Sequence, residues 1–205
     1  MSLLRTFIAV DIPSHIQQAI QQKTESLRTT LGASLVRWVA AENVHLTLKF
    51  LGDVSPANVD MLTQMLRAEA DSIPAFDIRV GGLGSFPNLR RPRVLFIGIQ
   101  APACPEPSRR SGLEALYRGI EAACARLGYE SEPHAFSPHL TIGRVRQDVS
   151  GSDGQKIRRA VEALHIDSLG NARVDSVQLY KSDLKPGGSV YTRLYSAPLK
   201  PVTPN

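Results

Sequence analysis

The sequence predicts an α+β fold made of two similar lobes on either side of one cleft. Strand and helix patterns alternate along the chain, and the pattern His, apolar, Thr, apolar occurs twice, as HLTL at 45–48 and HLTI at 139–142. His139 follows His45 by 94 residues, close to half of the 205-residue chain. Such a separation favours a duplicated half over a short-period solenoid. We expect one bilobal domain over residues 1–205, with two interleaved lobes that each carry one motif on an antiparallel-rich sheet.

The elements of the first half follow from hydrophobic periodicity and from helix and strand boundary signals. Residues 3–12 are rich in β-prone side chains and end at a proline, and Gly32 closes a helical pattern. Ser55 and Pro56 are typical of a helix start. The patterns predict strand 3–12, helix 15–30, strands 34–39 and 44–52, helix 55–70, and a hairpin of strands 75–86 and 92–100.

The second half repeats nearly the same order. Residues 101–112, APACPEPSRRSG, are rich in proline and serine and predict a flexible loop. The patterns then predict helix 113–127, strand 136–145, helix 152–164, and strands 172–184 and 189–197. We expect the proline-rich segment 198–205 to be a loose tail.

Composition narrows the class of protein. Hydrophobic residues make up 42% and charged residues 21%, which is typical of a globular chain. We find no apolar run of 18 residues and no signal-peptide pattern, so we expect a cytoplasmic protein without membrane contact. The net charge of +5 is compatible with an RNA partner. Two cysteines are too few for a disulfide framework, and a monomer is the default expectation.

Each repeated motif places an imidazole beside a hydroxyl. Side chains alternate across a strand, so His45 and Thr47 share one face, and His139 and Thr141 share another. A neutral histidine can take a proton while a protonated one gives a proton. Threonine hydroxyls can donate to phosphoryl oxygens, and phosphoryl transfer depends chiefly on positioning and electrostatic stabilisation. The four side chains therefore predict acid–base catalysis on a phosphoester.

Two other interpretations compete with this one. A single His-Leu-Thr on a strand is usually structural, and only the matched pair raises the catalytic interpretation above it. Zinc is the chemical competitor, because histidine is its common ligand. The sequence has no HExxH pattern, no cysteine pair and no acidic cluster near these histidines, so we expect neither a metal nor another cofactor.

At these residues the sequence resembles the two-histidine (2H) phosphoesterases, and specifically the RNA 2′,3′-cyclic phosphodiesterases, also called 2′-5′ RNA ligases. The segments RTFIAVDIP, ENVHLTLKFLGDV, FPNLRRPRVLFIGI and FSPHLTIGRV carry the resemblance. It implies hydrolysis of a 2′,3′-cyclic phosphate at an RNA end to a 2′-phosphate, without a metal. It also implies that His45 and His139 are the acid–base pair and that Thr47 and Thr141 bind the phosphate. For this product we expect His139 to activate water and His45 to protonate the 3′-oxygen.

Two alternatives to hydrolysis stay open. One is the reverse chemistry, in which a 2′,3′-cyclic phosphate is joined to a 5′-hydroxyl. The other is a module that binds RNA ends without catalysis.

Four further residues are candidates for substrate binding. Lys49 shares the face of Thr47 by alternation, whereas Arg144 falls on the face opposite His139 unless Gly143 breaks the alternation. Phe7 and Phe136 are candidates for stacking on a base, with core packing as the competing interpretation. A solvated surface role competes for the two cations.

Overall fold

The computed structural model describes residues 2–100, 111–185 and 188–201. Residues 101–110 of the predicted flexible loop lie outside this part of the chain. Two 3-10 turns, Ala41–Asn43 and Pro56–Asn58, flank the strand that carries the first motif. The strands and helices are β1 (Leu4–Asp11), α1 (Ser14–Lys23), α2 (Glu25–Leu35), β2 (Val36–Trp38), β3 (His45–Val54), α3 (Val59–Ser72), β4 (Phe76–Phe86), β5 (Val94–Gln100), α4 (Gly112–Arg126), β6 (His139–Val145), α5 (Gly151–Ala163), β7 (Gly170–Val174), β8 (Ser176–Lys185) and β9 (Gly188–Pro198).

The strands form one nine-stranded sheet in the order β7-β4-β5-β6-β3-β1-β8-β9, with β2 also beside β6. Neighbouring strands pair antiparallel. The predicted α+β class is therefore confirmed. The two motif strands, β3 and β6, are adjacent at the centre of the sheet, so the half-sheets that carry the motifs meet there.

The sheet curls because its two ends are joined by a short connection. β7 lies at one edge and β8 lies next to the other edge, yet only Asp175 separates them in sequence. The prediction of one continuous strand over 172–184 is wrong for this reason. Asp175 also accepts a hydrogen bond from the Leu199 N–H at 2.7 Å. The chain thus crosses between the two ends of the sheet at this residue, which a flat sheet would not allow.

The helices and the central strands share a single apolar core. Ile16, Ile20, Leu62 and Leu66 project from one side of their helices and are almost fully buried. Leu46 and Leu140, the apolar residues inside the motifs, are 0% exposed. Burial of such a side chain contributes about 2 kcal/mol. This burial fixes the face to which the histidines and threonines must point.

The N-terminal helical region differs from its prediction over 15–30. The structure has two helices that meet at Thr24, whose buried hydroxyl donates to the Ile20 carbonyl at 2.8 Å. Bonds of this kind compete with regular helix geometry. The chain leaves helical geometry at Gly32, where φ is 63°, so the expected closing glycine is confirmed.

The predicted loose tail is wrong for its first residues. Leu199 is 4% exposed, and the Lys200 N–H donates to the Ile73 carbonyl at 2.9 Å. Residues 202–205 lie outside the described part of the chain. Among the described helices, none is long and apolar enough to cross a membrane.

Candidate active site

An interruption between β2 and β3 shapes the first motif. Both strands pair with β6, with Trp38 opposite Gly143 and Leu46 opposite Leu140. The connection between Trp38 and Leu46 is longer than the two residues it faces on β6, so it loops out and forms the 3-10 turn Ala41–Asn43. This turn brings the backbone of Asn43 to the imidazole of His45.

The two motifs meet on adjacent antiparallel strands. Leu46 and Leu140 face each other and point into the core. His45, Thr47, His139 and Thr141 are half-buried and point to the opposite side of the sheet. We call this side the cleft face. Continuing the register by one residue places each histidine beside the threonine of the other motif.

Each histidine makes the same kind of hydrogen bond, between Nδ1 and the backbone carbonyl two residues earlier. His45 Nδ1 lies 2.8 Å from the carbonyl oxygen of Asn43, and His139 Nδ1 lies 2.7 Å from that of Ser137. A carbonyl oxygen only accepts, so Nδ1 carries the hydrogen in each ring. Nε2 of each ring is therefore left for substrate, where the neutral form takes a proton and the charged form gives one.

Aromatic rings surround His45. Phe7 stacks on its imidazole with ring centres 4.8 Å apart, and Tyr191 contacts it edge-on at 5.2 Å. Burial lowers the pKa of His45, as does the charge of Arg144 to a smaller extent, whereas the bond to Asn43 and the charge of Asp11 oppose this shift. The neutral imidazole is favoured in the free protein, and a bound phosphate anion favours the imidazolium.

Asp11 and Tyr180 complete the surroundings of His45, and both were missed by the sequence analysis. The Tyr180 hydroxyl donates to Asp11 Oδ1 at 2.7 Å, and Arg193 Nη1 lies 3.7 Å from Asp11 Oδ2. Burial, reinforced by the bond to Asp11, raises the pKa of Tyr180, so the hydroxyl keeps its proton. Asp11 pairs with His45 across β1 and β3. In the sequence, Asp11 could have been found from its position near the end of the first predicted strand.

His139 has its own aromatic neighbours. The rings of Phe86 and Phe96 contact it edge-on, with centres at 4.8 Å and 5.4 Å. The two phenylalanines stack on each other at 4.4 Å. Gly84 faces Phe96 across the β4–β5 hairpin, and a Cβ there would lie 2.6 Å from the ring. The predicted hairpin is confirmed, but its strands alone did not reveal which residues reach the second motif.

The same irregularity follows the threonine in both motifs. On β3, Thr47 and Lys49 face consecutive residues of β1, so Leu48 is extra. On β6, Thr141 and Gly143 face consecutive residues of β5, so Ile142 is extra. Each extra residue is a β-bulge, which resets the alternation beyond it. The two halves therefore present the next residues to equivalent sides.

The bulge turns Lys49 away from the cleft face. Lys49 is 4% exposed, and its Nζ lies 2.9 Å from Glu121 Oε1 on α4. It also donates to the carbonyl of Glu130. The prediction that Lys49 shares the face of Thr47 is wrong, because simple alternation does not survive the bulge. Lys49 is part of the support under the first motif.

The matching bulge turns Arg144 toward the cleft face. A Cβ on Gly143 would lie 2.6 Å from Val36 and 3.0 Å from Trp38, so Gly143 points to the core side. Arg144 follows on the opposite side of the strand and is exposed. Its positive charge lowers the pKa of His45. A substrate contact by Arg144 requires a break in the strand alternation, and the structure has this break.

The two aromatic candidates have different surroundings. Phe7 is on the cleft face, but it is 3% exposed and covers the imidazole of His45. Phe136 precedes β6, since that strand begins at His139 and not at the predicted residue 136. Its ring stacks on Tyr117 of α4 at 3.9 Å. Phe7 offers no free face to a base, which contradicts that prediction. Phe136 is half-buried with one face against Tyr117, and its contact with a base stays a prediction.

A cavity of about 790 Å³ lies next to Tyr117 and Phe136 rather than at the histidines. No three His, Cys, Asp or Glu residues converge as a metal-binding group within residues 2–100, 111–185 and 188–201.

The repeated architecture has a counterpart among known proteins. The family profile described as LigT like Phosphoesterase matches this chain twice, over residues 10–96 and 105–191. The chain belongs to the LigT-like phosphoesterases. The resemblance to this family and the expected enzyme class are confirmed, and the two matches follow the predicted duplication.

Relatives of this LigT-like phosphoesterase match it nearly end to end. The RNA 2′,3′-cyclic phosphodiesterase of Thermotoga maritima is 31% identical, with 94% of each chain covered. That of Methanothermobacter thermautotrophicus is 29% identical, covering 92% of this chain and 95% of its own. The crystal structure of Escherichia coli LigT complexed with 3′-AMP superposes with a TM-score of 0.69 at 28% identity, covering 96% and 98% of the two chains. A Thermus thermophilus protein reaches 0.77 at 25% identity, covering 96% and 98%.

Proposed function

We propose that this LigT-like phosphoesterase hydrolyses 2′,3′-cyclic phosphate ends of RNA to 2′-phosphate ends, with His45 and His139 as its acid–base pair. The observation that carries the proposal is the matched hydrogen bonding of the two histidines, which leaves both Nε2 atoms free to exchange protons on the cleft face. The relatives from T. maritima and M. thermautotrophicus, both named RNA 2′,3′-cyclic phosphodiesterases, support the choice of substrate.

The reaction requires a base that takes a proton from water and an acid that gives a proton to the leaving oxygen. Water attacks phosphorus as His139 Nε2 accepts its proton, and the bond to the 3′-oxygen breaks as His45 Nε2 donates a proton to it. The product carries a 2′-phosphate and a free 3′-hydroxyl. Thr47 and Thr141 donate to the non-bridging oxygens, whose charge must be stabilised in the transition state. Arg144 adds a positive charge near this centre.

The first experiment identifies the product. An RNA oligonucleotide with a 2′,3′-cyclic phosphate end is incubated with the protein and a chelator, and phosphorus NMR distinguishes 2′-phosphate from 3′-phosphate. We expect the 2′-phosphate. A 3′-phosphate would reverse the leaving group and the two histidine roles. Activity only on added divalent metal would overturn the metal-free mechanism, and joining to an added 5′-hydroxyl RNA in place of hydrolysis would favour ligation.

Variants of the histidines separate an enzyme from a binding module. We expect His45→Ala and His139→Ala each to lower kcat by 10³-fold or more, on the order of the cost of removing a central catalytic group. Binding of an oligonucleotide with a 2′-phosphate end should persist in both. His15→Ala, at an exposed position on α1, is the matched control and should leave kcat unchanged. Full turnover in either active-site variant would contradict the proposal.

A further inference from the structure

We infer that Arg37 and Arg144 together bind the internucleotide phosphate next to the reacting cyclic phosphate. The protein then prefers an RNA oligonucleotide end to a cyclic mononucleotide. This inference rests on the proposed function and specifies its substrate class.

The two arginines stand directly opposite each other. Arg37 pairs with Arg144 across β2 and β6, so their side chains leave the sheet on the same face. Val36 is fully buried on the other face of β2, and the ring of Trp38 lies beside Arg28 of α2. Since side chains alternate along β2, Arg37 points away from this helix and onto the cleft face.

An arginine pair in this position is unfavourable without an anion. Like charges directly opposite on neighbouring strands destabilise a sheet. Some exposed arginines have a carboxylate nearby, such as Arg173, which lies 3.2 Å from Asp77. Within the described part of the chain, neither Arg37 nor Arg144 forms an ion pair. Two guanidinium groups side by side suit a phosphodiester, because each offers several planar donors to its oxygens.

The pair lies at the right distance from the reacting group. Arg144 follows Thr141 by three residues on β6, which is roughly 10 Å along a strand. The charge of Arg144 also reaches His45. A phosphate held by both arginines would therefore be a neighbour of the cyclic phosphate along the RNA, and not the cyclic phosphate itself. A cyclic mononucleotide has no such second phosphate.

The test compares two substrates, a 2′,3′-cyclic mononucleotide and a short RNA with the same 3′-terminal nucleotide. We expect wild-type kcat/KM to be higher for the RNA. In Arg37→Gln, the ratio of kcat/KM for RNA to that for mononucleotide should fall about tenfold, in line with loss of a charge-assisted hydrogen bond. The logarithmic salt dependence of RNA kcat/KM should also become shallower by about 0.7 for the lost contact.

Arg67→Gln is the matched control. Arg67 is an exposed arginine on α3 beside Asp71, and its loss should change neither the ratio nor the salt slope. An equal fall on both substrates in Arg37→Gln, or no fall on either, would overturn the inference. If wild type hydrolyses neither substrate, the proposed function fails. Weaker binding of a 2′-phosphate-ended RNA by Arg37→Gln than by wild type would still support the arginine site, and equal binding would overturn it.

Discussion

The pKa of the single residue His45 should set part of the pH dependence of kcat/KM. Its pKa lies below the ordinary value of about 6.5, because packing against aromatic rings disfavours the imidazolium. In the proposed mechanism His45 gives a proton, so one limb of the kcat/KM profile reports its lowered pKa. That limb should lie below about pH 6.5, and a kcat/KM profile from pH 4 to 9 measures it.

Two variants assign that limb to His45. Asp11→Asn removes a negative charge that raises the pKa of His45, so the limb should move to lower pH. Arg144→Gln removes a positive charge that lowers it, so the limb should move to higher pH. If neither variant moves this limb, the limb does not belong to His45.

Gly84 governs the ring that supports His139. In Gly84→Ala the new Cβ would lie 2.6 Å from Phe96, so the ring must move, and it lies against His139. We expect kcat to fall by about tenfold or more, because small misplacements of a catalytic group are costly. Steady-state kinetics at a fixed pH measures this effect. Gly151→Ala has open space around its Cβ and is the control; equal kinetics in both variants would contradict the prediction.

At the scale of elements, one buried ion pair joins the first motif strand to a helix. Lys49 of β3 contacts Glu121 of α4, which also accepts from the Glu132 N–H on the segment leading to the second motif. Lys49→Met leaves the carboxylate of Glu121 unpaired and should lower the free energy of unfolding by about 3 kcal/mol. Urea unfolding measures this change.

A double variant provides the control for the pair. Lys49→Met with Glu121→Leu removes both charges and should recover most of the loss, since apolar replacement of a buried pair is often neutral. Arg118→Met breaks only the exposed pair with Glu114 and should cost less than about 1 kcal/mol. No recovery in the double variant would mean that the unpaired charge of Glu121 is not the cause of the loss.

Some residues of the site could be predicted from the sequence and others could not, and the difference has a physical reason. His45, Thr47, His139 and Thr141 lie in short regular strand segments, where alternation alone fixes the shared face. Lys49 lies just beyond a bulge that only pairing with β1 reveals, so its face could not be predicted. The aromatic neighbours of each histidine come from other strands, and their identity depends on register across the sheet.

At the scale of the whole molecule, the two sequence repeats are not two independent folding units. β1 and β3 come from the first half of the chain, but their half-sheet is completed by β8 and β9 from the second half. We expect a fragment of residues 1–100 to be unfolded by circular dichroism, because β1 loses β8 and both β3 and β5 lose β6. Mixing it with residues 101–205 should restore the fold. A cooperative transition of the fragment alone would contradict this prediction.

The order of helices and strands was largely predictable, whereas the closure of the sheet was not. Local periodicity locates each element. It does not show that β7 and β8, which only Asp175 separates in sequence, lie towards opposite ends of the sheet. The burial of Leu199 follows from that closure, and nothing in its own proline-rich surroundings indicates it.

For the proposed RNA substrate, the equivalent bulges bear on how the strand would be oriented. Each bulge brings the fifth residue after its histidine to the cleft face, and these residues are Phe50, which is 61% exposed, and Arg144. A nucleic acid strand has polarity, whereas a duplicated frame has none of its own. One end of the cleft offers a surface for a base and the other a charge for a phosphate. In the proposed complex, this one pair of unlike residues would make the two directions along the cleft different, so that the 5′ and 3′ ends of the RNA would not be interchangeable.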